Sequence, residues 1–105
     1  MKQDDPFKAM AQARAMQERI ERAQQAMNAR RFEATSGGGM VRATVTGALR
    51  VVAIDIEESF FKLGDKEMIQ DLTAAAINAA LAKVQEGANE EFASIHQMIL
   101  AEGER

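Results

Sequence analysis

Five cationic residues between positions 8 and 30 are spaced so that they would share one side of a helix. They are Lys8, Arg14, Arg19, Arg22 and Arg30. At 100° per residue they fall within an arc of about 160°. A row of basic groups along a rod suits the phosphate oxygens of a nucleic acid, so the spacing predicts backbone contacts to DNA. The alternative, which is the commoner origin of such a face, is a solvated helix surface stabilised by pairs such as Glu18 with Arg22.

A glycine-rich run at residues 36–39 is the second feature that could do chemistry. Ser36-Gly37-Gly38-Gly39 could bring backbone N–H groups close to a phosphate. It lacks the spacing of a phosphate-binding loop, and no helix is predicted directly after it. The run therefore favours a flexible or bulged connection between two strands.

Residue types suited to catalysis or metal binding are scarce. The chain has one histidine, His96, and no cysteine, which excludes disulfides and thiolate ligands. The carboxylates of Glu57 and Glu58 are neighbours on a predicted loop, where solvation is the usual explanation. We expect no enzyme activity, no metal, no cofactor and no small-molecule substrate. The absence of Tyr and Trp also disfavours recognition of single strands by stacking.

The net charge of −3 hides two halves of opposite sign. Residues 1–50 contain nine Lys/Arg and five Asp/Glu, whereas residues 51–105 contain four and eleven. The average charge argues against nucleic-acid binding, but the basic first half restores the prediction. The chain has no uninterrupted apolar run long enough to span a bilayer, and its first residues lack the apolar core of a signal peptide. We therefore expect no membrane association.

The cationic residues would be carried by a long helix at residues 1–31. Asp5 is a suitable N-cap, Pro6 suits the first helical position, and good helix formers follow. Apolar residues recur at spacings of three and four on the side opposite the cations, namely Ala13, Met16, Ile20, Ala23 and Met27. A helix of roughly 25 residues is about 37 Å long, more than one small domain covers, so part of it should project.

The pattern of residues 32–56 predicts three short strands. Phe32 to Thr35, Met40 to Thr46 and Leu49 to Ile56 are separated by the glycine run and by a turn at Gly47-Ala48. In the second strand, Arg42, Thr44 and Thr46 are expected on the exposed face. The third strand is apolar on both faces, which favours cover from a second subunit.

The remaining residues predict a helical segment at 65–101. Glu57 to Gly64 is predicted as a loop whose Phe60 and Phe61 fill the space between the sheet and the last helix. Asp65 is a suitable cap, and Gly87 is a candidate break with Asn89 capping a third piece. The predicted class is α+β, in the order α-β-β-β-α, with a three-stranded antiparallel sheet and a C-terminal helix that is split or continuous.

Several short motifs in this order resemble the YbaB/EbfC family of nucleoid-associated proteins. They are the Gln/Met-rich run at 10–17, Ser-Gly-Gly-Gly-x-Val-Arg at 36–42, the strands at 43–47 and 54–57, and Leu-x-x-Ala-Ala-x-Asn in the stretch 72–78, followed by Lys83. The similarity covers roughly residues 7–90. Glu57-Glu58, Ala79 and the C-terminal tail depart from the family's pattern.

The resemblance implies one YbaB-like domain over residues 1–105 that forms a homodimer, with joined sheets and projecting first helices. It implies duplex DNA binding with low or broad sequence preference, gene regulation, and a location in the nucleoid of the bacterial cytoplasm. The expected DNA contacts are Arg14, Arg19, Arg22, Arg30, Arg31 and Arg42. The alternative is a protein-interaction adaptor that docks partners on the Met/Ala-rich first helix.

Overall fold

A computed structural model describes residues 5–103 as an α+β fold. Its elements are α1 (Pro6–Ala29), β1 (Arg31–Ser36), β2 (Val41–Thr46), β3 (Val51–Ile56), α2 (Glu58–Leu63) and α3 (Lys66–Gly103). The three strands form one antiparallel sheet in the order β1-β2-β3. The predicted class and the order of the main elements are confirmed. The first four residues of the predicted first helix lie outside the described residues.

Helix α1 begins as its sequence predicts and ends two residues early. The carboxylate of Asp5 accepts a hydrogen bond of 3.0 Å from the N–H of Phe7, and Pro6 follows at the first position. Arg30 is extended, and Arg31 pairs with Thr46 as the first residue of β1. The predicted end at residue 31 was wrong because the strand pairing takes over from the helix there.

The core lies between the sheet and the first half of α3. Val41, Ala43 and Val45 of β2 are fully buried in it. They meet small or branched residues of α3, chiefly Ala76, Ala80 and Val84. The placement of Thr44 on an exposed face was wrong, since only 8% of it is accessible. It lies in the central strand, with neighbours on both sides.

The edge strand β3 is only partly covered. Ile54 and Ile56 pack against the core, whereas Val51 and Val52 are 49% and 42% exposed. The strand starts two residues later than predicted because Leu49 has a φ of 65° in the turn before it. The pairing of β2 with β3 also shifts register between Thr44 and Val45.

The predicted loop at 57–64 contains the short helix α2. Gly64 ends it by donating its N–H to the carbonyl of Phe60, and Lys62 forms a 3.1 Å ion pair with Glu58 one turn earlier. Phe60 is buried as expected, but Phe61 is exposed. Only one of the two phenylalanines therefore fills the space between the sheet and α3.

Helix α3 is continuous through Gly87, so the unbroken form is the one of the two alternatives that the structure shows. A Cβ at Gly87 would lie 3.0 Å from Cε of Met27 and 3.0 Å from Cε2 of Phe32. The glycine therefore allows α1 and β1 to approach α3 closely, and Asn89 lies within the helix rather than capping a new one. Beyond Gly87, α3 leaves the sheet and runs alongside α1, and the molecule measures 75 × 22 × 15 Å.

We predict that Gly87→Leu lowers the free energy of unfolding by about 1–3 kcal/mol, because the side chain would overpack Met27 and Phe32. Gln85→Leu, at an exposed position of the same helix, is the matched control and should change it by less than about 0.5 kcal/mol. Denaturant unfolding followed by circular dichroism measures both. Equal stabilities of the two variants would contradict close packing at Gly87.

Candidate nucleic-acid interface

The apolar side of α1 faces the second half of α3. Met16, Ile20 and Ala23 line a groove together with Ile95 and Met98, and Met27 is buried at its inner end. The predicted apolar stripe therefore faces α3 across an open groove. We call the pair formed by α1 and residues 88–103 of α3 the arm.

Arg14 and Arg22 lie on the outer side of the arm. Each is about 140° around the helix from the centre of the apolar stripe, in opposite senses, so together they flank the direction that points away from α3. Both residues are exposed. They are eight residues apart, which corresponds to about 12 Å along the axis. Glu18 is exposed midway between them, so this outer surface carries two arginines and one glutamate; we call it the cationic face.

Arg19 lies elsewhere than expected. It lines the groove beside Met16 and Ile20, across from Glu91 of α3. Residue 19 is only about 80° from the centre of the stripe, which explains its position. The five predicted cations of α1 thus do not act as one uniform surface.

Arg30 and Arg31 lie at the junction of α1 with the sheet. The guanidinium carbon of Arg30 is 4.7 Å from the ring centroid of Phe32, a cation–π contact that fixes its direction. Arg31 is exposed at the start of β1. Both residues continue the positive charge of α1 to the base of the arm.

Arg42 lies apart from the others, on the face of the sheet opposite α3. Its guanidinium nitrogens are 3.8 Å from a carboxylate oxygen of Glu33 and 3.9 Å from one of Asp55, and its side chain is half-exposed. Pairing across neighbouring strands explains both contacts, since Arg42 lies directly opposite Asp55 on β3 and diagonally opposite Glu33 on β1. Two acids therefore offset the charge of Arg42.

An acidic counterpart to α1 is the feature that sequence reasoning missed. Glu86, Glu90 and Glu91 lie on the part of α3 next to or within the arm. The strongly negative second half of the chain was the available signal, but the sequence left open whether α3 continues beyond Gly87 and did not show that it accompanies α1. The arm has a basic helix and an acidic helix.

The glycine run is a structural turn. Gly37, Gly38 and Gly39 have φ values of 62°, 68° and 96°, a region that favours glycine, and they connect β1 to β2. The hydroxyl of Ser36 donates a 2.6 Å hydrogen bond to the carbonyl of Leu72, and a Cβ at Gly37 would lie 2.7 Å from Cδ1 of that leucine. Ser36 and Gly37 therefore hold the β1–β2 hairpin in contact with α3.

The described part of the chain contains neither a candidate metal site nor a helix that could cross a membrane. Between residues 5 and 103, no three carboxylate or imidazole side chains are placed to hold a metal ion. None of the helices in that range has the length and apolar character needed to cross a membrane. The ring of His96 stacks on Phe92 at 6.3 Å.

Comparison with known proteins points to one family. The sequence model of the YbaB/EbfC DNA-binding family matches residues 2–99. A nucleoid-associated protein of Francisella tularensis subsp. novicida is 39% identical over 94 residues, covering 90% of this chain and 82% of that protein. One from Syntrophobacter fumaroxidans is 37% identical over 89 residues, covering 85% and 81%. One from Lysinibacillus sphaericus is 44% identical over 71 residues, 68% of each chain.

A solved structure supports the fold alone. The uncharacterized protein HP0035 from Helicobacter pylori superposes with a TM-score of 0.62 at 23% sequence identity. The match covers 79% of this chain and 96% of that chain. The arrangement of helices and strands described above is therefore shared with an experimental structure.

We predict that Ser36→Ala lowers the free energy of unfolding by about 1 kcal/mol. The partly buried carbonyl of Leu72 would lose the hydrogen bond that the Ser36 hydroxyl donates to it. The affinity of this variant for duplex DNA should equal that of the wild type, because the hydroxyl is used within the fold. Ser59→Ala, which removes an exposed hydroxyl bonded to Glu57, is the matched control for stability. A loss of DNA affinity at unchanged stability would instead assign Ser36 to a phosphate site.

Proposed function

Because this chain belongs to the YbaB/EbfC DNA-binding family, we propose that it binds duplex DNA through the cationic face of its arm. Its family is one of nucleoid DNA-binding proteins rather than enzymes. The observation that carries the proposal is the exposure of Arg14 and Arg22 on the side of α1 that points away from α3. The names of the relatives support a place in the bacterial nucleoid, within the cytoplasm.

The geometry favours contacts to phosphate over contacts to base edges. Arg14 and Arg22 lie about 12 Å apart along a straight helix, so each would meet a different part of the duplex backbone. Phosphate contacts position a protein without reading sequence, which supports a low or broad sequence preference. The acidic residues of α3 repel phosphate, so the duplex approaches the arm from the α1 side.

The six proposed contacts contribute unequally. They are Arg14, Arg19, Arg22, Arg30, Arg31 and Arg42. Arg14 and Arg22 carry the largest share because both are exposed on the outer side. Arg30 and Arg31 extend the surface to the base of the arm, and Arg19 reaches it from the groove. Arg42 contributes least, since it must leave Glu33 and Asp55 to meet a phosphate.

A homodimer joined through β3 is the second part of the proposal. The two edges of the sheet differ: at β1, the ammonium of Lys83 donates a 2.6 Å hydrogen bond to the carbonyl of Glu33 and so protects that edge. At β3, Val51 and Val52 are exposed. Pairing β3 with β3 of a second copy would cover these valines and join the sheets.

The dimer would present two arms to one duplex. Occupation of promoter DNA by such a dimer is the route by which we propose that it influences gene expression. We also propose that residues 1–105 act as a single domain, because α3 packs on the sheet and Met27 of α1 belongs to the same core. The other candidate function, a protein adaptor, is favoured by the exposed Phe7 and Met10 of α1.

We predict that Arg14→Glu combined with Arg22→Glu abolishes duplex binding while leaving the fold intact, because neither side chain lines the groove. For the wild type, the logarithm of the binding constant should fall with the logarithm of salt concentration by about 0.9 per phosphate contact. Scrambling the DNA sequence should matter less than adding salt. Fluorescence anisotropy measures all three effects.

Lys62→Glu combined with Lys66→Glu is the matched control for this charge reversal. These lysines lie on α2 and at the start of α3, away from the arm, and the net charge changes equally. The control should retain binding. Wild-type affinity in the correctly folded Arg14/Arg22 variant would contradict the proposed surface and favour the adaptor.

We predict that Val52→Lys lowers the average mass in sedimentation equilibrium at micromolar concentration, because a lysine on an edge strand opposes strand pairing. Ala75→Lys, at an exposed position of α3, should leave the mass unchanged. An unchanged mass for Val52→Lys, or a monomeric wild type, would contradict dimerisation through β3.

A further inference from the structure

The groove between the two helices of the arm is open and apolar. Its outer part has a volume of about 190 Å³ and is lined by Met16, Arg19, Ile20, Ala23, Glu91, Ile95, Met98 and Ile99. A second stretch of about 290 Å³ shares Ile20, Ala23, Glu91 and Ile95 and continues inward to Met27. We call this continuous surface the arm groove.

The two helices do not bury their own apolar stripes. Met27 is the one residue of α1 that is buried, and Ile20 is 50% exposed. On the opposite wall, Met98 and Ile99 are 48% and 51% exposed. Two antiparallel helices with an uncovered apolar groove correspond to half of a four-helix bundle. The missing half is a second antiparallel pair with the same properties.

The charges that line the arm groove make it complementary to itself. Arg19 is on the α1 wall, and Glu91 is on the α3 wall about one helical turn nearer the base of the arm. Three ion pairs form among residues 5–103, and neither Arg19 nor Glu91 takes part in them. A two-fold axis parallel to the helices places α1 of one copy over α3 of the other. Each Arg19 then lies within about one helical turn of a Glu91 of the opposite copy, a distance that an extended arginine side chain spans, and this pairing occurs twice across the interface.

We propose that the occupant of the arm groove is the arm groove of a second copy, so that arms pair into a four-helix bundle. The apolar stripes fill the centre of this bundle, and the Arg19–Glu91 pairs fix the two-fold arrangement. This interface is separate from the β3 edge, so the two together join more than two chains.

Arm pairing has a consequence for DNA that rests on the proposed function. Arg14 and Arg22 are on the side of α1 away from α3, so their side chains remain exposed when the grooves meet. Paired arms then present cationic faces in opposite directions. Such an assembly holds two duplexes at once, which makes it a DNA bridge.

Two substitutions separate the two interfaces. Ile95→Glu puts a charge in the arm groove, and Val52→Lys opposes pairing at β3. By sedimentation velocity over a range of concentrations, the wild type should exceed two chains, each single variant should stop at two, and the double variant should be monomeric. Gln85→Glu, an exposed change to the same charged residue, is the control and should behave as the wild type.

These outcomes distinguish failure of arm pairing from failure of the β3 dimer. An Ile95→Glu variant that assembles like the wild type overturns arm pairing, whatever Val52→Lys does. A Val52→Lys variant that retains the wild-type assembly overturns the β3 dimer alone. A Val52→Lys variant that is monomeric at all concentrations also overturns arm pairing.

A charge exchange tests the pairing without relying on Ile95. Arg19→Glu and Glu91→Arg should each weaken arm association, measured in the Val52→Lys background, by at least about tenfold because like charges then face each other. The combined variant should restore it. Failure of the combined variant to recover, with each single variant folded by circular dichroism, overturns the two-fold arrangement.

Bridging is measured with beads that carry an unlabelled duplex to which the protein is bound. The quantity measured is the amount of a second, labelled duplex that these beads capture. The wild type should capture it, and Ile95→Glu should not, although Ile95→Glu binds a single duplex in anisotropy as the wild type does. Capture by Ile95→Glu equal to the wild type overturns the bridge. Loss of single-duplex binding in the Arg14/Arg22 variant is the separate test of the DNA surface.

Discussion

The close contact at Gly87 determines the architecture of this protein. At this position α3 has no side chain, and Met27 of α1 and Phe32 of β1 occupy the space. A continuous helix can therefore cover the sheet with its first half and accompany α1 with its second half. The arm, its groove and the outward direction of Arg14 and Arg22 all follow from that contact.

Charge is distributed along the chain so that one helix of the arm is basic and the other acidic. The molecule is 22 × 15 Å in cross-section, about two to three Debye lengths at physiological salt, so charges on opposite sides of the arm are largely screened from each other. In the proposed DNA complex, attraction on one side of the arm and repulsion on the other define the orientation of the duplex. A net charge of −3 is compatible with this behaviour because phosphate responds to the local surface.

The sequence predicted where helices and strands occur better than it predicted which of them pack against each other. The cap at Asp5, the buried face of β2 and the cap at Asp65 depend on local rules and agree with the structure. The role of Gly87 stayed open because a glycine in a helical pattern signals either an end or a close approach, and only the tertiary contact decides. Arg19 lies elsewhere than expected because spacing gives the direction of a side chain around the helix axis but does not give the element that the side chain faces.

The arm also has a mechanical property that follows from its length. Helix α1 has 24 residues, so it extends about 36 Å from its junction with the sheet. A tilt of about 5° at the junction displaces the far end by about 3 Å, the length of a hydrogen bond. Arg30, at the base, hardly moves under such a tilt, whereas Arg14 moves through most of it. In the proposed DNA complex, the base of the arm therefore sets the position of the protein on the duplex, and the tip accommodates local variation in groove width and bend.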